Sequence, residues 1–114
     1  PSHCALMKDA AEKLALDLNK LTFNTPSIPV INNVDVAIET DSEAIKSALV
    51  KQLYSPVRWT ESIEKLKTDG ITHVVEVGPG KVLQGLIKRI DKTLVGASFN
   101  SVDSFSKVQE LLNQ

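Results

Sequence analysis

The sequence is short of the residues that would define several protein classes: it has one cysteine, one tryptophan, one tyrosine and one methionine in 114 residues, and no excess of positive charge. One cysteine closes no internal disulfide, which suits a reducing compartment. Thirteen Lys and Arg against 14 Asp and Glu leave a net charge of −1, so no global field favours nucleic acid. No apolar run approaches the ~20 residues that cross a bilayer, and no signal peptide is visible. His3, Cys4 and His73 are three potential metal ligands, but no Cys-x-x-Cys or His-x-x-x-His spacing supports a site, and no metal is expected. No serine stands in a Gly-x-Ser-x-Gly elbow, so an activated nucleophile is missing too. The chain opens at Pro1 without an initiator Met and reads as a cytoplasmic piece whose start is absent. Its length suits at most one domain with a modest core, and neither repeats nor an internal boundary is evident.

What is present is organised around Thr72–Ile90. Val74, Val75 and Val77 form a β-branched run of the kind that packs on both faces of a buried strand. Gly78-Pro79-Gly80 stops it, since glycine supplies unusual dihedrals and proline no ladder donor. Val82, Leu83, Leu86, Ile87 and Ile90 then share one face of a helix. Strand, glycine turn and helix are the basic step of an α/β protein with a mostly parallel sheet. The turn leaves N–H groups at a helix start, where anions are favoured, yet it is no Walker loop; tight strand–helix packing is the simpler reading.

Earlier in the chain, Ala5 to Leu21 has helical spacing, with Met7, Ala10, Ala11, Leu14, Leu18 and Leu21 on one face and Ser2 as N-cap. Residues 29–33 suggest a short strand, and 35–41 an edge segment. Asp41 caps a helix from Ser42 to Tyr54, which Ser55-Pro56 breaks. A further helix is expected over Val57 to Asp69, with Gly70 just beyond its end. Leu94–Phe99 reads as a strand and precedes a last helix capped by Asp103 or Ser101.

His3 is the first candidate for chemistry, because imidazole is the side chain best matched to proton transfer near neutrality. A lone histidine near a helix start is also a common cap or surface residue. Cys4 beside it does not make a dyad, because helical neighbours point about 100° apart. It reads as a small apolar residue. His73 opens a strand and reads as structural. Lys88 and Arg89 close a helix, where cations suit the dipole.

Four blocks carry a resemblance: Pro1 to Met7 (PSHCALM), Pro29 to Val34 (PVINNV), Gln52 to Trp59 (QLYSPVRW) and Glu76 to Leu83 (EVGPGKVL). In this order and spacing the chain closely resembles the C-terminal part of bacterial malonyl-CoA:acyl carrier protein transacylases. The resemblance implies that residues 1–114 are the C-terminal segment of an acyltransferase catalytic domain with an α/β-hydrolase-like core, incomplete on its own. It implies a serine that takes malonyl from coenzyme A and passes it to the phosphopantetheine thiol of acyl carrier protein. His3 matches the catalytic histidine, and Gln52 the position whose main-chain carbonyl orients it. The serine elbow, the oxyanion-hole residues, the arginine that holds the malonyl carboxylate and a ferredoxin-like insert all lie upstream in the family and are absent here. The resemblance therefore implies a segment inactive alone, without a tightly bound cofactor, whose partners are malonyl-CoA, the acidic carrier protein and the missing N-terminal part of the enzyme. A non-catalytic carrier-binding module or an inactive fragment is the alternative. Lys81, Lys88 and Arg89 are the candidate docking cluster for the carrier. The apolar stripes of 5–21 and 81–90 are expected to face sheet strands from the missing part, and so to leave apolar surface uncovered.

Overall fold

The computed structural model describes residues 2–114; Pro1, the first residue of the resembling blocks, lies outside them. By its internal contacts the chain divides into two compact units, residues up to Ser62 and Ile63–Gln114. The division falls inside a helix, where no glycine or proline linker marks it in the sequence.

The first unit begins with a 3-10 turn, Ala5–Met7, followed by α1, Lys8–Leu18. Ser2 is not the cap expected of it. The 3-10 turn starts from Cys4, which makes no side-chain cap, because His3 just before it is held elsewhere, as described below. α1 stops at Leu18 rather than Leu21: Leu21 N–H turns back to the Leu18 carbonyl at 3.0 Å, tightening the end. β1, Ile31–Asn32, pairs antiparallel with β2, Ala37–Ile38, in the register Ile31 to Ile38 and Asn32 to Ala37. The Asn32 side chain accepts from Asp35 N–H at 2.8 Å and donates to the Ala37 carbonyl at 3.1 Å, closing the turn from within the strand.

α2 spans Ser42–Tyr54, and the Asp41 carboxylate accepts from Ala44 N–H at 3.0 Å at its start. α1 packs on α2, burying Ala11, Leu18 and Ala48. The apolar stripe of the first helix is thus covered in part by a helix of the same unit, and Ala10 and Leu21 of that stripe stay exposed. Further apolar side chains are uncovered outside the stripe, Leu6 in the 3-10 turn at 79% exposed and Leu16 on α1.

α3, Trp59–Thr68, carries the division between the units. It ends in a Schellman motif: Gly70, at φ 90, donates to the Lys67 carbonyl and Ile71 to that of Leu66. In the second unit, β3, His73–Val77, pairs in parallel with β4, Val95–Phe99, the pair being joined by α4, Val82–Ile90. The class is therefore α/β with a parallel pair, as the glycine turn suggested. α5, Val102–Leu112, closes the chain. Of the two candidate caps, Ser101 is the one used, its hydroxyl accepting from Ser104 N–H while Ser104 Oγ accepts from Ser101 N–H.

Burial in this unit is thinner than the sequence suggests. Ile87 is 2% exposed, and Leu94 and Val108 are buried too, but Val82, on the same helix as Ile87, is 73% exposed. β3 is not a buried strand: Val74 and Val75 are half-buried and Val77 is 75% exposed. The reason is topological. β3 has one paired neighbour, β4, whereas a run of valines is buried only when strands flank it on both sides and helices cover both faces.

The start of α4 holds a contact the sequence did not reveal. Lys81 at its N-cap makes no side-chain bond; instead the Glu76 carboxylate reaches from β3 and accepts from Gln84 N–H at 2.8 Å. The negative charge that a helix start favours is the chain's own, so the glycine turn acts as packing. Gln84 in turn donates to the Gly96 carbonyl at 3.2 Å and accepts from the Ser98 hydroxyl, tying α4 to β4. A Cβ at Gly96 would meet Gln84 Cγ at 3.3 Å, a contact that Gln84 would have to yield to by a few tenths of an ångström. Glu76→Ala is expected to cost ~0.5–2 kcal/mol, the usual worth of a lost cap, measurable as a lower urea midpoint with an unchanged slope.

Candidate functional site

Of the residues the sequence singled out, the structure brings two together. His3 and Gln52 are 49 residues apart, and His3 Nδ1 lies 3.0 Å from the Gln52 main-chain oxygen. The His3 N–H also donates to the Leu53 carbonyl at 3.0 Å. The histidine thus docks by backbone and ring on two consecutive carbonyls in the last turn of α2. Those carbonyls are available because a helix end leaves its last four without intrahelical donors. His3 has φ 59, a left-handed conformation that costs a non-glycine residue energy and persists where its surroundings over-determine it.

The ring contact decides the tautomer. A carbonyl oxygen only accepts, so Nδ1 carries the proton in this bond, leaving the lone pair of the neutral ring on Nε2. Among the described residues Nε2 has no hydrogen-bond partner, and His3 is exposed. The Gln52 side-chain nitrogen is also 3.3 Å from Nδ1. An amide N–H and a ring N–H do not bond to each other, so the shorter carbonyl contact sets the tautomer; with the amide turned over, its oxygen shares the same proton. The arrangement is a neutral imidazole held by its far nitrogen and offering the near one as a base.

Charges beside the site are paired. Lys51, one residue before Gln52, donates to Asp35 at 2.9 Å, and this hydrogen bond, with the carboxylate's charge, raises its pKa. Arg58 donates its N–H to the Asn33 carbonyl at 2.9 Å and its guanidinium to Glu61, whose carboxyl is held below the usual range mainly by that hydrogen bond. A cleft of about 430 Å³ opens in the same unit, with Gln52 in a wall otherwise made largely of apolar side chains, among them Phe23, Ile31, Ile45 and Leu49.

The other candidates are placed differently. Cys4 is half-buried, and its carbonyl accepts from Met7 N–H. His73 Nδ1 lies 2.8 Å from Thr72 Oγ1 on β3. Among the described residues, no three His, Cys, Asp or Glu side chains are grouped as metal ligands require. Lys81, Lys88 and Arg89 are exposed, and among the described residues none is in an ion pair. Lys81 stands before α4 while Lys88 and Arg89 occupy its last turn, ~10 Å along the axis at 1.5 Å per residue. The Leu53 carbonyl was missed by sequence reasoning. Its only trace is Pro56, which stops α2 within reach of it.

No protein-family model matches the chain. Against individual proteins the likeness is extensive. The malonyl CoA-acyl carrier protein transacylase of Haemophilus influenzae is 59% identical over 112 residues, 98% of this chain and 36% of that protein. A crystal structure of an acyl carrier protein S-malonyltransferase from Vibrio cholerae superposes with a TM-score of 0.90 at 60% identity, covering 95% of this chain and 35% of that one. A second structure, of a type II PKS acyl-carrier protein in complex with its malonyl-transacylase, gives a TM-score of 0.91 at 53% identity over 100% of this chain and 36% of that one. The chain thus spans about 36% of the length of the curated relatives it matches. Among the described residues, no helix is long and apolar enough to cross a membrane.

Proposed function

The chain is a segment of the malonyl CoA-acyl carrier protein transacylase family, and from this we propose that it is the C-terminal part of the catalytic domain and supplies the base of a malonyl transfer. In the whole enzyme a serine outside this segment takes malonyl from coenzyme A as an ester. His3 Nε2 removes the serine proton as the oxygen attacks the thioester carbonyl, then returns it to the departing coenzyme A thiolate. The second half-reaction runs the same way with the carrier thiol: Nε2 removes its proton, sulfur attacks the ester, and the proton goes back to the serine oxygen. The Gln52 carbonyl holds Nδ1–H in place and steadies the imidazolium that forms in each half. Coenzyme A enters as its malonyl thioester and leaves as the free thiol, and no tightly bound cofactor takes part.

One observation carries this reading: His3 Nδ1 is 3.0 Å from the Gln52 carbonyl, with Nε2 left without a partner among the described residues. The uncovered apolar side chains Val77 and Val82 support a role for the remaining two thirds of the family's length as cover. The test is a mass measurement after mixing with malonyl-CoA. The whole enzyme should gain one malonyl group, and this segment, having no serine elbow, none. A malonylated segment would overturn the division of labour.

The carrier protein is the proposed partner, and its acidic character calls for basic residues where it docks. Lys88→Glu with Arg89→Glu in the whole enzyme is expected to raise the KM for carrier protein about 10-fold at low salt and to flatten its salt dependence. An unchanged rate with carrier at low salt would rule the last turn of α4 out.

A further inference from the structure

We propose that Pro56 is a positioning residue for His3: having no N–H, it keeps the Gln52 carbonyl free for the histidine ring. In an α-helix the N–H of residue i bonds the carbonyl of residue i−4. Were α2 to continue, the N–H at position 56 would take the Gln52 carbonyl, and that at 57 the Leu53 carbonyl. Those are the two acceptors that His3 holds, each at 3.0 Å. Position 56 is proline, which lacks the donor and whose ring would strike the carbonyl four residues back, that of Gln52. Proline also pushes the residue before it into extended backbone. Ser55 is so placed, at φ −114 and ψ 150, and the chain leaves the helix axis so that Arg58 N–H reaches Asn33 instead. His3 therefore occupies the place of the helical turn that Pro56 abolishes.

The proposal rests on the reading of His3 as base and adds what protects its tautomer. If α2 continues, the N–H of residue 56 takes the Gln52 carbonyl and the added turn fills the space where the ring lies. Nδ1 is then displaced from that oxygen, and the freed ring favours the Nε2–H form. That form places a proton where the lone pair is needed. The loss is one of productive base and not of substrate binding, so it falls on kcat.

The experiment uses the whole enzyme with ¹⁵N-labelled histidine, the His3 signal being the one missing from His3→Ala. Pro56→Ala restores the donor. It should move the His3 ring from Nδ1–H towards Nε2–H and lower kcat about 10-fold, with the KM for malonyl-CoA unchanged. An ester analogue, with lactic acid in place of Pro56, has neither ring nor N–H and should keep the Nδ1–H form and most of kcat. An unchanged tautomer in Pro56→Ala overturns the proposal, whatever the rate does. So does an ester enzyme that loses the Nδ1–H form, because the ring and not the missing donor would then be responsible. If Pro56→Ala does not fold, the ester enzyme decides alone on the same criterion. A His3→Ala enzyme with near-normal rate would sink the base assignment, and that failure is read separately from the tautomer.

Discussion

His3→Ala in the whole enzyme is expected to cut malonyl transfer by at least ~10²-fold, while leaving the fold in place. A serine hydroxyl is a weak nucleophile near neutrality, and the departing coenzyme A thiolate needs a proton. One imidazole serves both steps, so its removal slows formation of the ester and its onward transfer together. General-base help is typically worth ~10²–10⁴-fold, and more where base and nucleophile act as a unit. The fold should survive because His3 is exposed and, among the described residues, its side chain hydrogen-bonds only at the end of α2. Truncation to alanine also leaves the main-chain bond to Leu53 intact, so the backbone keeps its anchor. The rate of ester formation from malonyl-CoA, followed in a single turnover, checks the chemistry, and circular dichroism checks the fold. A folded variant that forms the ester at near-normal rate would return His3 to an ordinary cap of a helix end.

The largest stability effect should come from Ile87→Ala, at ~2–5 kcal/mol. Ile87 is 2% exposed and is the one fully enclosed side chain of α4, the helix whose contacts run to both β3 and β4. Its loss removes the transfer free energy of three carbons and leaves a hole that the sheet, held by its own ladder, closes poorly. Marginal stability makes this decisive, since whole domains are stable by only ~5–15 kcal/mol. Urea unfolding of the whole enzyme followed by circular dichroism measures it as a lower midpoint. A loss under ~0.5 kcal/mol would mean that α4 is held by the Glu76 and Gln84 hydrogen bonds and not by burial.

Local elements were legible where short-range chemistry decides them. α2 has its Asp41 cap and its proline stop in the sequence, and both operate as read. The valine run, the glycine turn and the helix after it follow from propensity and spacing alone, as does Gly70 as the residue that ends α3. Where the reading failed, a distant group intervened. Ser2 looks like a cap, but His3 is fastened to α2 and takes the backbone out of helical geometry. Lys81 stands where a cap belongs, yet Glu76, from the preceding strand, supplies the acceptor. The valines of β3 read as buried because periodicity reports how apolar a strand is and not how many neighbours it has.

By itself the sequence determined the α/β class, the order of elements, the family to which the segment belongs and which histidine to watch. These depend on residue type and spacing, which a linear chain displays. The resemblance pointed to the Gln52 carbonyl, but only the tertiary structure put His3 Nδ1 3.0 Å from it across 49 residues and left Nε2, among the described residues, without a partner. A main-chain carbonyl has the same chemistry in every residue, so no side chain at position 52 could announce that its oxygen was the one in use. Its availability arose from where α2 ends and from what folds back onto that end.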